Sequence, residues 1–427
     1  MSKPKKIITI PFDRDRIPPK QNLFLTPLLW LASFFMTRRN KLKIKKVRME
    51  GLKPPFLVLG SHHSFMDFWV TPLALIPHRA NYVSELEGFE AFGEWFYRQI
   101  GCLGTRKFVN DIALVKNIRR VMDRKGILVL YPEARYSNVG TNSKLTGSVG
   151  KLVKMLKVPV VVINMHGNYL QSPIWNLTPR NEARLDTTIT QVFTARELAG
   201  ISAEEATAVL QKFLTYDEYA WQYEHKMKIT YSKRAEGLEL VLYTCPVCKT
   251  EFEMATGGAS IFCKSCGAQW TMNEYGRMEF MTDQGIRDAG EFSHIPDWYE
   301  WERARVIEEI DEGRYLLRLR VHIDSLPNAK NFINLGSGTL VHDAGGFSMI
   351  FTEYGDREEK TLFFPAISMS SIHTEYNYRK KGQCVTLSTP DNTYFIFPED
   401  RGFNATKIQF AVEYLYEKAM KDARKVR

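Results

Sequence analysis

Long apolar runs are missing from this chain of 427 residues. The longest, residues 23–36, counts 14 positions, short of the roughly 20 that a bilayer-spanning helix needs, so no spanning helix is expected. Cysteine is sparse, six in all, which excludes a disulfide-built scaffold. Acidic residues are nearly absent from the first 55 positions, where 14 Lys or Arg stand against 3 Asp or Glu, a net of +11. The chain totals +10, so everything after residue 55 is close to neutral and the positive charge belongs to one end. What the composition does hold, 44% hydrophobic residues over a length typical of two or three domains, is enough for packed cores.

The basic end brackets the apolar run, with Lys20 before it and Arg38, Arg39 and Lys41 after it. An apolar segment carrying Trp30 and three phenylalanines between cations suits a helix lying in the headgroup layer of an anionic leaflet and starting near Thr26-Pro27. A buried core helix with a basic skirt is the rival reading. A secretory leader fits least, because charged and proline-rich residues precede the run and no small-residue cleavage site separates Met36 from Arg38. The expected location is the cytoplasmic face of a membrane, peripheral or monotopic, with membrane lipid as a partner.

The chemistry is concentrated in Leu59-Gly60-Ser61-His62-His63-Ser64-Phe65-Met66-Asp67, just after an apolar, strand-like run over 55–59. In an ideal helix residues five apart point about 140° from each other, so His62 and Asp67 meet only where the backbone turns, as between a strand end and a helix start. There Asp67 holds the imidazole in one tautomer and leaves the other nitrogen to take a proton from a hydroxyl. Ser64 reads as the cap of the following helix more readily than as a nucleophile.

Three further segments follow in order: Gly101-Cys102-Leu103-Gly104-Thr105-Arg106, Leu130-Tyr131-Pro132-Glu133-Ala134-Arg135-Tyr136-Ser137, and Val158-Pro159-Val160. With His62-x-Ser64-x-x-Asp67 at their head, the set resembles the glycerolipid acyltransferase family, whose type member acylates lysophosphatidic acid; the resemblance covers roughly residues 20–235. It implies an α/β domain in which His62 deprotonates an acceptor hydroxyl attacking an acyl thioester, with acyl-coenzyme A or acyl carrier protein as donor and a lysophospholipid as acceptor. It also implies substrate binding by Arg106, Arg135, Glu133 and Ser64, the arginines on a phosphate. The third motif departs from the family. Ala134 stands where glycine is usual, Arg135 comes one position early, and Tyr136 takes the arginine's place, so either Arg135 turns inward or another cation such as Lys144 substitutes.

Cys245-Pro246-Val247-Cys248 and Cys263-Lys264-Ser265-Cys266 are separated by fourteen residues, two knuckles that together offer the four thiolates preferred by structural zinc. Between residues 240 and 290 four cations face six acids, a balance unsuited to phosphates, so no nucleic-acid partner is expected. Cys102 and Cys384 read as buried thiols.

Helical stretches over 111–124 and 147–156 alternate with strands over 56–60, 127–131 and 158–164, the pattern of an α/β layer. A capping box at Ser202 and Glu205 opens a helix expected to run toward Tyr223. After the ribbon comes a helix over 296–312, ended by Gly313. Short alternating β segments and a final helix over 404–421 then resemble a pleckstrin-homology-like outline. The expected divisions are 1–45 for the interfacial segment, 46–237 for the acyltransferase-like domain, 238–290 for the zinc ribbon, 291–313 for the linker helix and 314–427 for the β-rich domain. Two functions fit: an acyltransferase, or a non-catalytic membrane scaffold that keeps the shell and binds partners through the ribbon.

Overall fold

The structure, a computed structural model, describes residues 10–400 and 402–425; Lys3, Lys5 and Lys6 of the basic end lie outside the described residues. The apolar runs become the middle of a seven-stranded sheet: β1 (Lys43–Val47), β2 (Phe56–Gly60), β3 (Asn81–Glu85), β4 (Cys102–Thr105), β5 (Ile127–Leu130), β6 (Val160–His166) and β7 (Asp186–Phe193). Their order is β1-β7-β6-β2-β5-β3-β4. From β6 through β4 neighbouring strands are parallel, while β7 pairs antiparallel with β6 and β1 runs parallel to β7. Parallel strands are covered on both faces, which is why Phe56, Leu57, Val58 and Leu59 are apolar without alternation and all at most 1% exposed. The expected division at residue 45 cuts β1, so the sheet begins inside the basic segment.

The capping box at Ser202 and Glu205 forms, but its helix stops at Leu214. Thr215 is extended and Asp217 caps a separate helix, Glu218–Glu224, by accepting from the Ala220 N–H at 2.8 Å. The single helix expected to reach Tyr223 is therefore two, because an aspartate that caps a new helix competes with continuing the old one.

A five-stranded antiparallel sheet follows: β8 (Met254–Gly257), β9 (Ser260–Cys263), β10 (Gln269–Met272), β11 (Met278–Thr282) and β12 (Gly285–Asp288). The helix Ile295–Asp311 is no free linker. Trp298 and Glu302 are fully buried, with the Trp298 indole donating to the Thr244 carbonyl and Glu302 accepting from the Thr244 N–H. The last sheet holds β13 (Leu317–Ser325), β14 (Ile333–Asp343), β15 (Gly346–Thr352), β16 (Glu359–Pro365), β17 (His373–Glu375), β18 (Cys384–Ser388) and β19 (Thr393–Pro398), ordered β16-β15-β14-β13-β19-β18-β17. A C-terminal helix, Ala405–Lys425, packs beside it.

Apolar cores cross the expected divisions. One runs from Tyr169 and Trp175 through Cys245 and Trp270 to Trp298, Phe351 and Phe410, and another joins Phe56 and Tyr82 to Leu326, Phe395 and Phe397. The C-terminal half is thus a wall of the α/β part rather than a tethered module.

The helix Leu25–Thr37 is turned inside out. Its buried residues are Thr26, Leu29, Ser33 and Thr37, against the helix Met66–Ala74, while Phe24, Leu28, Leu31, Phe34, Phe35 and Met36 are exposed. Small and hydroxyl residues permit close packing, and the Thr26 and Thr37 hydroxyls donate to the carbonyls of Asn22 and Ser33. The large apolar side chains therefore form an unpartnered outer face. Among the described residues no helix is long and apolar enough to cross a membrane.

Candidate active site

The carboxyl ends of β2, β5, β3 and β4 line one edge of the sheet, the place where α/β folds gather ligands. His62 follows β2, Glu133 follows β5, Glu85 ends β3, and Arg106 and Lys107 follow β4. Gly60 makes the first exit possible, since a Cβ there would meet the Tyr131 ring at 2.5 Å.

Asp67 sits 1% exposed in the first turn of the helix Met66–Ala74. One carboxylate oxygen accepts from the N–H groups of His63 (2.7 Å) and Ser64 (3.2 Å) and lies 3.1 Å from His62 Nδ1. The other accepts from Asn168 Nδ2 at 2.8 Å. A carboxylate so fixed orients the imidazole, and with the proton on Nδ1 the Nε2 of His62 is left to accept one. The His62 ring is flanked by Tyr131 and Tyr136, at centroid distances of 4.4 and 4.3 Å, and its side chain remains 17% exposed. His63 differs. Burial, then the neighbouring His166 and His62, holds its pKa well below the usual histidine range, and its Nε2 is 2.7 Å from the Ser61 hydroxyl.

Glu133 is a clamp on this loop. Its two oxygens accept from the His62 N–H (3.2 Å) and the Ser143 N–H (2.7 Å), while burial raises its pKa to about 7. Ser64 accepts from the Met66 N–H and donates to the Asn168 carbonyl at 2.8 Å, which places it at the helix start.

Neither arginine expected on a phosphate faces His62. Arg106 is 4% exposed, and its Nη atoms donate to the carbonyls of Leu326, Pro327 and Asp391 and to the Thr393 hydroxyl, all within 3.0 Å. Arg135 is buried against Glu413 of the C-terminal helix at 3.1 Å. Burial alone would raise the Glu413 carboxyl, but Arg135 and Arg303 hold it below its usual range. Lys144 pairs outward with Glu417 on the same helix. The reassignment begins at Ala134, whose φ of +57° is the left-handed conformation that glycine usually supplies. Replacing Arg106 by Ala is expected to cost about 3 kcal/mol by leaving its acceptors unpaired, measured as a fall in unfolding free energy in urea; a change below about 0.5 kcal/mol would contradict the contact's structural role.

Sequence reasoning missed Asn168, Tyr131 as a stacking partner, and a charged row beside the site. Lys107 pairs with Glu85 and lies 3.0 Å from His373 Nδ1, and His373 Nε2 lies 3.2 Å from Glu375. Burial would raise the Glu85 carboxyl, but Lys107 and His373 bring it down to about 2. Asn168 has no spacing signal; Lys107 is the neighbour of the arginine the motif names.

The cysteines converge. All four sulfurs lie within 4.8 Å of one another, with Cys245 to Cys266 and Cys248 to Cys263 each 3.7 Å apart. Lys249 and Gly267, each just after a knuckle's second cysteine, take φ values of +64° and +77° and donate their N–H groups back to the carbonyls of Cys245 and Cys263. The cluster can hold a metal ion.

Residues 36–166 match the family model described as acyltransferase. A solved 1-acyl-sn-glycerophosphate (LPA) acyltransferase, PlsC, from Thermotoga maritima is similar at 15% identity and a TM-score of 0.35, over 45% of this chain and 82% of that one. No curated protein matches.

Proposed function

We propose that the chain, whose residues 36–166 match the acyltransferase family model, transfers a fatty acyl group from acyl-coenzyme A or acyl carrier protein to a hydroxyl of a lysoglycerophospholipid at a membrane surface. The observation that carries this reading is the His62–Asp67 pair at the carboxyl edge, which occupies Nδ1 and, among the described residues, leaves Nε2 unengaged. His62 takes the hydroxyl proton as the oxygen attacks the thioester carbonyl; the tetrahedral intermediate collapses, the C–S bond breaks, and the imidazolium returns the proton to the departing thiolate. No acyl-enzyme forms. Thiol release from an acyl thioester is therefore expected only when acceptor is present; a stoichiometric burst of thiol without acceptor would contradict direct transfer.

The exposed face of Phe24, Leu28, Leu31 and Phe35, collared by Arg38, Arg39 and Lys41, supports docking on an anionic leaflet. Leu28→Ser with Phe35→Ser is expected to lower sedimentation with phosphatidylglycerol vesicles about tenfold, from the loss of two buried apolar side chains; unchanged sedimentation would remove the helix from membrane binding. The cysteine cluster suits structural zinc, since a tetrahedral site with Zn–S near 2.3 Å sets sulfurs about 3.8 Å apart. A pleckstrin-homology-like reading of the last domain rests on its strand order and closing helix. The scaffold reading draws on the engagement of both motif arginines by the C-terminal half, and it predicts that wild type and His62→Ala are equally inert.

A further inference from the structure

The motif arginines are unavailable to an acceptor, because the C-terminal half holds both. The sheet edge instead presents the row Glu85, Lys107, His373 and Glu375, whose last two members come from β17 of that same half. Glu85 ends β3, two places from β2 and His62 in the sheet order. Burial first, then the charges of Glu85, Asp67 and Glu375, raise the pKa of the Tyr136 phenol, whose ring lies 4.3 Å from His62. Glu85 and Glu375 keep 27% and 18% of their side-chain surface, so the row is lined for contact rather than sealed.

We propose that Glu85, Lys107, His373 and Glu375 form the acceptor-head subsite, completed by the C-terminal half, and that it takes a lysolipid head of no net charge, an ammonium-phosphodiester above all, in preference to a phosphate monoester. This rests on the acyltransferase reading. The one ammonium of the row, Lys107, is already matched by Glu85, and Glu375 lies 3.2 Å from His373 Nε2. A dianionic monoester entering here faces two carboxylates, while the guanidiniums of Arg106 and Arg135 are held by the C-terminal half. A zwitterionic head offers both charges at once, its phosphodiester to Lys107 and its ammonium, by charge alone, to the carboxylates. Arg106 and Arg135 then act on the site only as interdomain contacts.

The test uses the full, metal-loaded chain with acyl-coenzyme A and three acceptors of one acyl chain, lysophosphatidylcholine, monoacylglycerol and lysophosphatidic acid, at equal mole fraction in mixed micelles. The expected kcat/KM for lysophosphatidylcholine exceeds that for lysophosphatidic acid by at least about tenfold, and Glu85→Gln with Glu375→Gln narrows the ratio by improving the monoester. The wild-type ranking decides even where the variants fail to fold. Lysophosphatidic acid as the best acceptor overturns the subsite while leaving the acyltransferase reading in place; transfer to none of the three overturns the acyltransferase reading itself, and the subsite with it.

Discussion

Replacing His62 by Ala is expected to lower acyl transfer by roughly 10² to 10⁴-fold, the loss that follows removal of a positioned base, while the protein stays folded. The loop does not depend on the imidazole for its shape. Asp67 retains the N–H groups of His63 and Ser64 and the Asn168 amide, and the His62 backbone remains held by Glu133 and by the Ser137 N–H, at 3.0 Å from the His62 carbonyl. The fall should appear in kcat, because proton removal belongs to the transition state, with KM for the thioester little changed. Unfolding in urea read alongside separates lost chemistry from lost structure. A rate within threefold of wild type would remove His62 from the mechanism.

Stripping the zinc proposed for the cysteine cluster is expected to cost on the order of 10 kcal/mol of apparent stability, the scale of structural zinc sites, which exceeds what a domain usually has to spare. Cys245 and Cys263 are at most 1% exposed and share a core with Trp270 and Trp298. Glu302, whose oxygen accepts from the Thr244 N–H at 2.6 Å, ties the cysteine-bearing segment to the helix Ile295–Asp311. Unfolding should therefore spread into the C-terminal half and release the contacts that hold Arg106 and Arg135. Hydrogen exchange before and after a strong chelator reads this directly. The expected result is lost protection from residue 240 onward and, with His373 and Glu375 displaced, lost acyl transfer. Removal of one equivalent of metal with protection and activity unchanged would contradict a structural role.

Much of the fold was legible because it depends on local pattern. The unbroken apolar runs of β2, β5 and β6 belong to strands covered on both faces, the Ser202 capping box starts its helix, and the cysteine spacing predicts the sulfur cluster that forms. His62 with Asp67 was legible because five residues across a strand-to-helix turn leave one geometry in which the two side chains meet. What was hidden depends on partners far along the chain. Arg106 donates to residues some 220 to 290 positions away, and Arg135 pairs across 278; no local spacing records such choices, and a motif match alone assigns both to substrate. The one local clue was the altered third motif, where Tyr136 in the arginine's place and Ala134 at a positive φ mark a loop turned toward the C-terminal half. The Leu25–Thr37 helix was legible in composition as an interfacial one with outward apolar side chains, but not in its inner face, where Thr26, Leu29, Ser33 and Thr37 pack.

The roles of His62 and of the acceptor subsite both depend on this chain moving an acyl group. The measurement that tests it most directly is mass-spectrometric detection of acylated acceptor after purified, metal-loaded wild type is incubated with an acyl thioester and a panel of lysolipids in mixed micelles, with His62→Ala run in parallel. The account predicts a product heavier than one lysolipid by the acyl group, formed over many turnovers by wild type and reduced at least about a hundredfold in the variant. Folded wild-type protein that yields no acylated product from either acyl-coenzyme A or acyl carrier protein, or yields the same trace as the variant, would contradict it.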